Sequence, residues 1–102
     1  MITKKMLEIV LKVEILKHEA NSKAIHYDYY KDGVTYIGYS LNIFELADMV
    51  IEWIESEDFW IKKEHKQIYQ LIYQNKEVYG IDTKRRIHVP FMCMKWILDN
   101  KN

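Results

Sequence analysis

The stretch NIFELADMVIEWIE, from Asn42 to Glu55, decides the fold that we predict for this chain. Asn42 suits the N-cap of a helix, and a glutamate stands three residues later, which is the spacing of a capping box. Four acidic residues recur at helical period and form one narrow stripe, the acidic stripe: Glu45, Asp48, Glu52 and Glu55. The residues between them are apolar, and a helix that is apolar over most of its circumference must be covered on several sides. The stretch therefore predicts the central helix of a small α+β domain.

Length and composition place limits on the class of protein. A chain of 102 residues predicts one domain over residues 1–102. Its net charge of zero disfavours a general nucleic-acid binder. The single cysteine, Cys93, fits a reducing cytoplasm, and the first ten residues contain no apolar segment typical of a signal peptide. The abundance of Lys, Ile and Asn suggests a bacterial or phage origin.

The region before the central helix is predicted to form three strands. Residues Met6 to Lys17, MLEIVLKVEILK, alternate in polarity better than they follow a helical period, which favours a strand. His18 to Lys23 is predicted to be a loop. Ala24 to Ser40 is predicted to be a hairpin, because Asp32 and Gly33 are typical of a two-residue type I′ turn. The resulting register pairs Tyr30 with Thr35, Tyr29 with Tyr36 and His26 with Tyr39.

The region after the central helix is predicted to contain a second helix from Phe59 to Gln74. A short hairpin follows, formed by Glu77 to Ile81 and Arg86 to Val89. Pro90 is well placed in the first turn of a last helix, Phe91 to Asp99. The predicted order is β-β-β-α-α-β-β-α. In this α+β fold, an antiparallel sheet (a three-stranded meander plus the short hairpin) packs against about three helices.

Tyrosine is concentrated in the predicted hairpin, where five of the eight tyrosines lie between Tyr27 and Tyr39. Aromatic side chains on a sheet can anchor a protein interface or stack on bases. They also stabilise strands by pairing with each other, without any binding function. The predicted register places five side chains on the face that meets solvent or a partner: His26, Asp28, Tyr30, Ile37 and Tyr39. Four of them are predicted to bind a partner: His26, Asp28, Tyr30 and Tyr39.

Two charged segments could bind a partner. The basic run, Lys84, Arg85 and Arg86, lies in a predicted turn and could bind phosphate or an acidic protein, although a solvated loop is the favoured explanation. The acidic stripe repels itself and predicts a cation nearby, supplied either by this chain or by a partner.

No motif for catalysis, a metal or a cofactor is present. The histidines and Cys93 lack the spacing of metal-ligand pairs, and the chain has no glycine-rich phosphate loop. A site assembled by the fold from His26, Asp28 and His88 is the remaining route to an enzyme. The apolar segment Phe91–Leu98 could complete its burial in a homodimer.

The sequence thus favours a non-enzymatic protein-interaction domain of the inhibitor, immunity or adaptor type, without metal or cofactor. The predicted binding residues are His26, Asp28, Tyr30 and Tyr39 of the hairpin, together with the basic run and the acidic stripe. One alternative is a nucleic-acid-binding module that uses the tyrosine hairpin with Lys84 to Arg86. The other alternative is a small enzyme with a His/Asp site.

Overall fold

The computed structural model describes residues 2–101 of the chain. Over these residues it contains two antiparallel three-stranded sheets and three α-helices. Helix α1 (Lys4–Leu11) is followed by sheet A, whose strands are β1 (Glu14–Ala20), β2 (Ala24–Lys31) and β3 (Val34–Asn42). Helix α2 (Ile43–Ser56) is followed by sheet B, whose strands are β4 (Phe59–His65), β5 (Ile68–Tyr73) and β6 (Lys76–Asp82). A short 3-10 helix (Arg86–His88) leads into helix α3 (Val89–Asn100).

The predicted α+β class is confirmed. The element order agrees roughly with the prediction, except that the structure has an additional helix at the start. Contacts within the chain define two compact units, unit 1 (Met1–Leu46) and unit 2 (Ala47–Asn102). The boundary falls inside α2. None of the helices within residues 2–101 is long and apolar enough to cross a membrane.

The strand predicted over Met6 to Lys17 is wrong in its first half, which forms α1. The Thr3 hydroxyl caps this helix by accepting a hydrogen bond from the Met6 amide at 3.2 Å. Lys12 ends the helix in the left-handed conformation, with φ of 58°. The Glu8 carboxylate then accepts a hydrogen bond from the Ile15 amide at 2.9 Å and ties the helix to β1. The apolar pattern was misread because a helix and a strand were treated as one element.

The helix predicted from Phe59 to Gln74 is also wrong, because β4 and β5 form a hairpin there. Aromatic and β-branched residues are dense in both segments, FWIKKEH and IYQLIY, and such residues favour strands. The next turn is a two-residue one, since Gln74 and Asn75 both have positive φ and Tyr73 pairs with Lys76. Asn75, predicted to end a helix, therefore belongs to a second turn of the type found at Asp32-Gly33.

The end of the chain matches the prediction in part. The strand predicted over Glu77 to Ile81 exists as β6, but it pairs with β5 rather than with Arg86 to Val89. The latter residues form the 3-10 helix and the start of α3 instead. The last helix is confirmed, and Pro90 lies in its first turn, where a missing amide hydrogen has no cost.

The central helix α2 is confirmed, and the Asn42 side chain caps it by accepting a hydrogen bond from the Phe44 amide at 2.7 Å. Its buried residues lie on one side at helical spacing: Ile43, Leu46, Ala47, Val50 and Ile54. The four acids of the acidic stripe are exposed on the other side. Phe44 is exposed beside them, with 62% of its surface accessible, so the helix is less fully covered than its composition suggests.

Sheet A keeps the predicted turn, and its register is the predicted one as far as the pair Tyr29 and Tyr36. Beyond that pair β3 contains one extra residue, so Tyr39 pairs with Tyr27 and not with His26, which pairs with Ser40. This β-bulge lies at Ile37-Gly38. An extra residue exchanges the two faces of the strand beyond it.

Each unit has its own set of buried apolar residues. In unit 1 the most buried side chains beyond α2 are those of Met6, Leu7, Ile15 and Ile25. In unit 2 sheet B contributes Tyr69, Leu71, Ile72 and Ile81, and α3 contributes Val89, Phe91, Cys93, Met94 and Ile97. Among the described residues, none of the buried side chains is polar or charged.

Candidate interaction surfaces

The bulge in β3 determines which side chains meet on sheet A. Gly38 adopts φ of +78°, a conformation that residues with a side chain rarely adopt. Its amide donates a hydrogen bond of 2.9 Å to an Asp28 carboxylate oxygen on the neighbouring strand. Asp28 was predicted to bind a partner, and in the folded chain it stabilises the bulge.

Four tyrosines meet on one face of sheet A as a result of the bulge, and we refer to them as the tyrosine cluster: Tyr27, Tyr29, Tyr36 and Tyr39. Tyr29 is at its centre, stacked on Tyr36 with ring centroids 4.6 Å apart and edge-on to Tyr39 at 5.3 Å. Tyr27 lies 5.8 Å from Tyr29 and 6.4 Å from Tyr39. Without the bulge, Tyr36 and Tyr39 would lie on opposite faces, because side chains alternate along a strand.

The tyrosine cluster is packed within itself but is only half buried. Desolvation by burial raises the pKa of Tyr27, and the neighbouring Tyr39 adds to this effect. The pKa of Tyr29 is raised in the same way, first by desolvation and then by the surrounding phenols of the cluster. Tyr39 remains 44% exposed at the margin, and Ile37 on the same strand is 75% exposed. The cluster therefore presents aromatic surface to solvent.

The other predicted residues of the hairpin lie on the opposite face. Cross-strand pairs share a face, so Tyr30 with Glu14, Asp28 with Lys17, and His26 with Glu19 form this second side. Of the four residues predicted to line one binding face, three do so, while the bulge moves Tyr39 to the tyrosine cluster.

Large exposed apolar side chains are concentrated on sheet A. Among residues 2–101 there are seven of them, and five belong to β1, β2 or β3: Leu16, Tyr30, Val34, Ile37 and Tyr39. Sheet B has one, Trp60, and α2 has Phe44. Strand β3 also lies at an edge of its sheet and has no charged residue over its nine positions. Such an edge is open to pairing with another chain.

The acidic stripe has no cation bound to it among the described residues. Residues 2–101 contain three ion pairs, Lys62–Glu64, Lys95–Asp99 and Lys101–Glu57. None of them includes a residue of the acidic stripe. The internal pairing that we considered for the stripe is therefore absent from this part of the chain. The stripe remains a predicted site for a basic partner.

The basic run is also exposed at all three of its residues. It follows β6, where the Thr83 hydroxyl accepts a hydrogen bond of 3.1 Å from the Arg85 amide. Lys84, Arg85 and Arg86 take part in no ion pair within residues 2–101. Their predicted role in binding remains a prediction.

The predicted His/Asp site remains a prediction, because His26 and Asp28 belong to unit 1 and His88 belongs to unit 2. Asp28 already accepts the Gly38 hydrogen bond, and within residues 2–101 no group of three or more potential metal ligands occurs. Cys93 is fully buried in α3, and burial raises the pKa of its thiol to about 12. A thiol with such a pKa is protonated at neutral pH and is a poor nucleophile.

Unit 2 contains a groove that the sequence did not predict. We call it the aromatic groove, and its volume is about 430 Å³. It is lined by three aromatic residues, by the two acidic residues of the α2–β4 turn and by residues near the ends of α2 and α3: Ser56, Glu57, Asp58, Phe59, Tyr73, Val78, Trp96, Ile97, Asn100 and Lys101. It could not be predicted because its walls, Phe59 and Tyr73, were assigned to one helix rather than to paired strands.

Comparison with known proteins adds no functional information. No protein-family model, no curated protein sequence and no solved structure matches this chain. Proposals about function therefore depend on the chemistry of the surfaces described above.

Proposed function

We propose that this chain is a small non-enzymatic protein-interaction domain, of the inhibitor, immunity or adaptor type, and that it binds a partner protein through sheet A. The observation that carries the proposal is the concentration of exposed apolar side chains on this sheet. Large exposed apolar patches on soluble proteins commonly mark interaction sites. Tyrosine is enriched among the residues that dominate binding energy at protein interfaces.

The uncharged edge strand gives further support. Over the described residues, the other three edge strands, β1, β4 and β6, all contain charged residues, which discourage pairing with another chain. Strand β3 has none, and Val34 and Ile37 are exposed on it. A partner that covers Ile37 and Tyr39 would remove this apolar surface from water.

Partner capture with matched variants tests the proposal. The wild-type chain, the double variant Ile37→Ser with Tyr39→Ser, and the control Trp60→Ser would each be used on extracts of the cells in which the gene is naturally expressed. We expect the same partner with the wild type and with Trp60→Ser, and its loss with the sheet A variant. Trp60 is as exposed as Tyr39 but lies on sheet B, so it controls for nonspecific apolar binding.

Folding must be preserved for this test to be informative. Thermal unfolding of all three proteins provides that check, since substitutions of exposed residues usually change stability by less than about 0.5 kcal/mol. Retention of the partner by a folded sheet A variant would refute the proposal. Its loss with Trp60→Ser as well would also refute it.

A nucleic-acid-binding module is the second candidate, and the exposure of Lys84, Arg85 and Arg86 favours it. The test is an electrophoretic shift assay with single-stranded and duplex probes. It is done at low salt, because even nonspecific binding is detected there. A shift that Arg85→Ala and Arg86→Ala abolish would support this candidate. We expect no shift at micromolar protein, because the net charge is zero.

The cellular setting and the oligomeric state are part of the proposal. We propose a cytoplasmic location, which suits a chain whose single cysteine is a buried free thiol. A homodimer through Phe91–Leu98 receives less support, because Phe91, Cys93, Met94 and Ile97 are already buried in the single chain. Sedimentation analysis at several concentrations distinguishes a monomer from a dimer.

A further inference from the structure

The aromatic groove lies where two helices end. Helix α2 ends at Ser56 and α3 ends at Asn100, and both residues line the groove. The C-terminal end of a helix bears a partial negative charge, and neither helix has a basic residue in its last turn to offset it. Two acidic residues, Glu57 and Asp58, also line the groove. The groove is therefore suited to a positively charged ligand.

The walls of the groove are suited to the same kind of ligand. The rings of Phe59 and Tyr73 lie 4.5 Å apart, and the ring of Trp96 stands at 74° to Phe59 with a centroid distance of 6.5 Å. Two aromatic planes close to perpendicular form a corner. Ring faces attract ammonium and guanidinium groups, and tryptophan does so most strongly. The volume of about 430 Å³ lies within the range of roughly 300–1,000 Å³ found for small-molecule sites.

A cation of the chain itself already lies at this groove. The Lys101 ammonium donates a hydrogen bond to a Glu57 carboxylate oxygen, and the two residues are 44 positions apart in sequence. The Lys101 side chain is 56% exposed, so the pair is in contact with solvent. Exposed ion pairs contribute little and exchange readily with other charged groups.

We propose that the aromatic groove binds a lysine or arginine side chain presented by another protein, and that Lys101 occupies the cation position in the free chain. The carboxylate of Glu57 receives the incoming charge, and the corner between Phe59 and Trp96 receives its alkyl stem. Lys101 moves into solvent when the ligand enters. The proposal concerns unit 2 and does not depend on sheet A.

Nuclear magnetic resonance on the isotope-labelled chain provides the test. The probes are N-acetyl-lysine methylamide, the neutral analogue N-acetyl-norleucine methylamide, and the capped peptide Gly-Gly-Lys-Gly-Gly. The signal followed is the Trp96 indole resonance, assigned by its disappearance in Trp96→Phe. We expect a saturable shift with both lysine probes and none with the norleucine analogue.

Variants test the role of Lys101. Removing a competing exposed ion pair by Lys101→Ala should tighten lysine binding by roughly two- to fivefold. Glu57→Gln should weaken it by a similar factor or more. Lys95→Ala is the matched control, because it removes the same charge from α3 and Lys95 is paired with Asp99 outside the groove lining. It should leave the affinity unchanged.

Four results would overturn the proposal. They are the absence of a saturable shift, an equal shift with the norleucine analogue, a Lys101→Ala affinity no tighter than that of Lys95→Ala, and a Glu57→Gln affinity equal to the wild type in a folded protein. A capped peptide that binds more weakly than the single capped lysine would overturn the assignment to a partner's side chain and would point to a free amine. Loss of partner capture by the sheet A variant has no bearing on any of these outcomes.

Discussion

Sheets A and B are both three-stranded antiparallel meanders followed by a helix, yet they treat their aromatic residues in opposite ways. In sheet B, Tyr79 stacks on Trp96 of α3 with centroids 5.9 Å apart, and Tyr69 is buried. In sheet A the tyrosines pack on one another and stay partly exposed. The same architecture thus serves as core in one region and as surface in the other.

The edge strands of the two sheets also differ, in the charge that they carry. Strand β4 has Lys62, Lys63 and Glu64 in the middle of an edge, whereas β3 has no charge and contains a glycine bulge. The comparison indicates that most large apolar side chains of sheet B are covered, with Trp60 as the exposed exception among the described residues. Sheet A keeps apolar surface that folding does not use, and that is why we assign the partner surface to it.

The largest expected effect comes from one substitution made in both sheets. Leu71→Ala in sheet B removes a side chain with no exposed surface and should reduce the free energy of unfolding by about 2–5 kcal/mol. Leu16→Ala in sheet A removes one that is 50% exposed and should cost less than about 1 kcal/mol. Chemical denaturation of both variants measures the difference. Equal losses would show that Leu16 is packed as a core residue.

A second pair of variants tests the bulge that assembles the tyrosine cluster. Gly38→Ala should cost about 1–2 kcal/mol, because a Cβ at φ of +78° is strained even though nothing lies within 4 Å of it. Gly80→Ala in sheet B should be neutral or stabilising by up to about 1 kcal/mol, since glycine weakens a regular strand and the nearest atom to its Cβ is 3.9 Å away. Thermal unfolding compares them. A Gly38→Ala protein as stable as the wild type would contradict the assigned bulge.

The helix α2 and the hairpin turn could be predicted because their signals are local. Asn42 caps the helix that follows it, and Asp32-Gly33 supplies the positive φ of the turn. The α+β class followed from these two elements. Helical period alone also predicts that the four acids of the acidic stripe share one face of α2, and all four are exposed.

The remaining elements could not be predicted because their patterns were ambiguous or depended on distant contacts. Residues Phe59 to Tyr73 fit a helix by spacing, and only the turn between β4 and β5 makes them a hairpin. The bulge depends on a hydrogen bond between Asp28 and Gly38, which lie ten positions apart. One extra residue moved Tyr39 to the other face, so the predicted binding face was wrong at that position.

Alkaline pH should affect the tyrosine cluster through ionisation. The pKa values of Tyr27 and Tyr29 are raised in the folded chain, so the unfolded chain releases these protons first, near pH 10. Their contribution to stability is complete below that pH and is lost as the pH rises through the folded pKa values. Denaturation between about pH 9 and pH 11 measures this slope.

The matched control for the pH effect is Tyr27→Phe with Tyr29→Phe, which keeps the rings and removes the two hydroxyls. We expect the double variant to lose less stability than the wild type over the same pH range. Absorbance of tyrosinate, recorded in parallel, should show that some tyrosines of the wild type ionise at a higher pH than free tyrosine does. An identical pH dependence in both proteins would mean that the cluster does not protect its hydroxyls from ionisation.

The smallest expected effect on stability is also the sharpest test of the contrast between the edges. Ile37→Lys places a charge on β3 at a residue that is 75% exposed, and it should change the free energy of unfolding by less than about 0.5 kcal/mol. It should also lower any self-association at high concentration, because a charged edge resists pairing. The reciprocal change, Lys62→Ile on β4, removes one such charge and should raise self-association. Equal self-association of the two variants in light scattering would show that the uncharged edge of sheet A has no special tendency to pair. The partner surface would then be assigned to the tyrosine cluster alone.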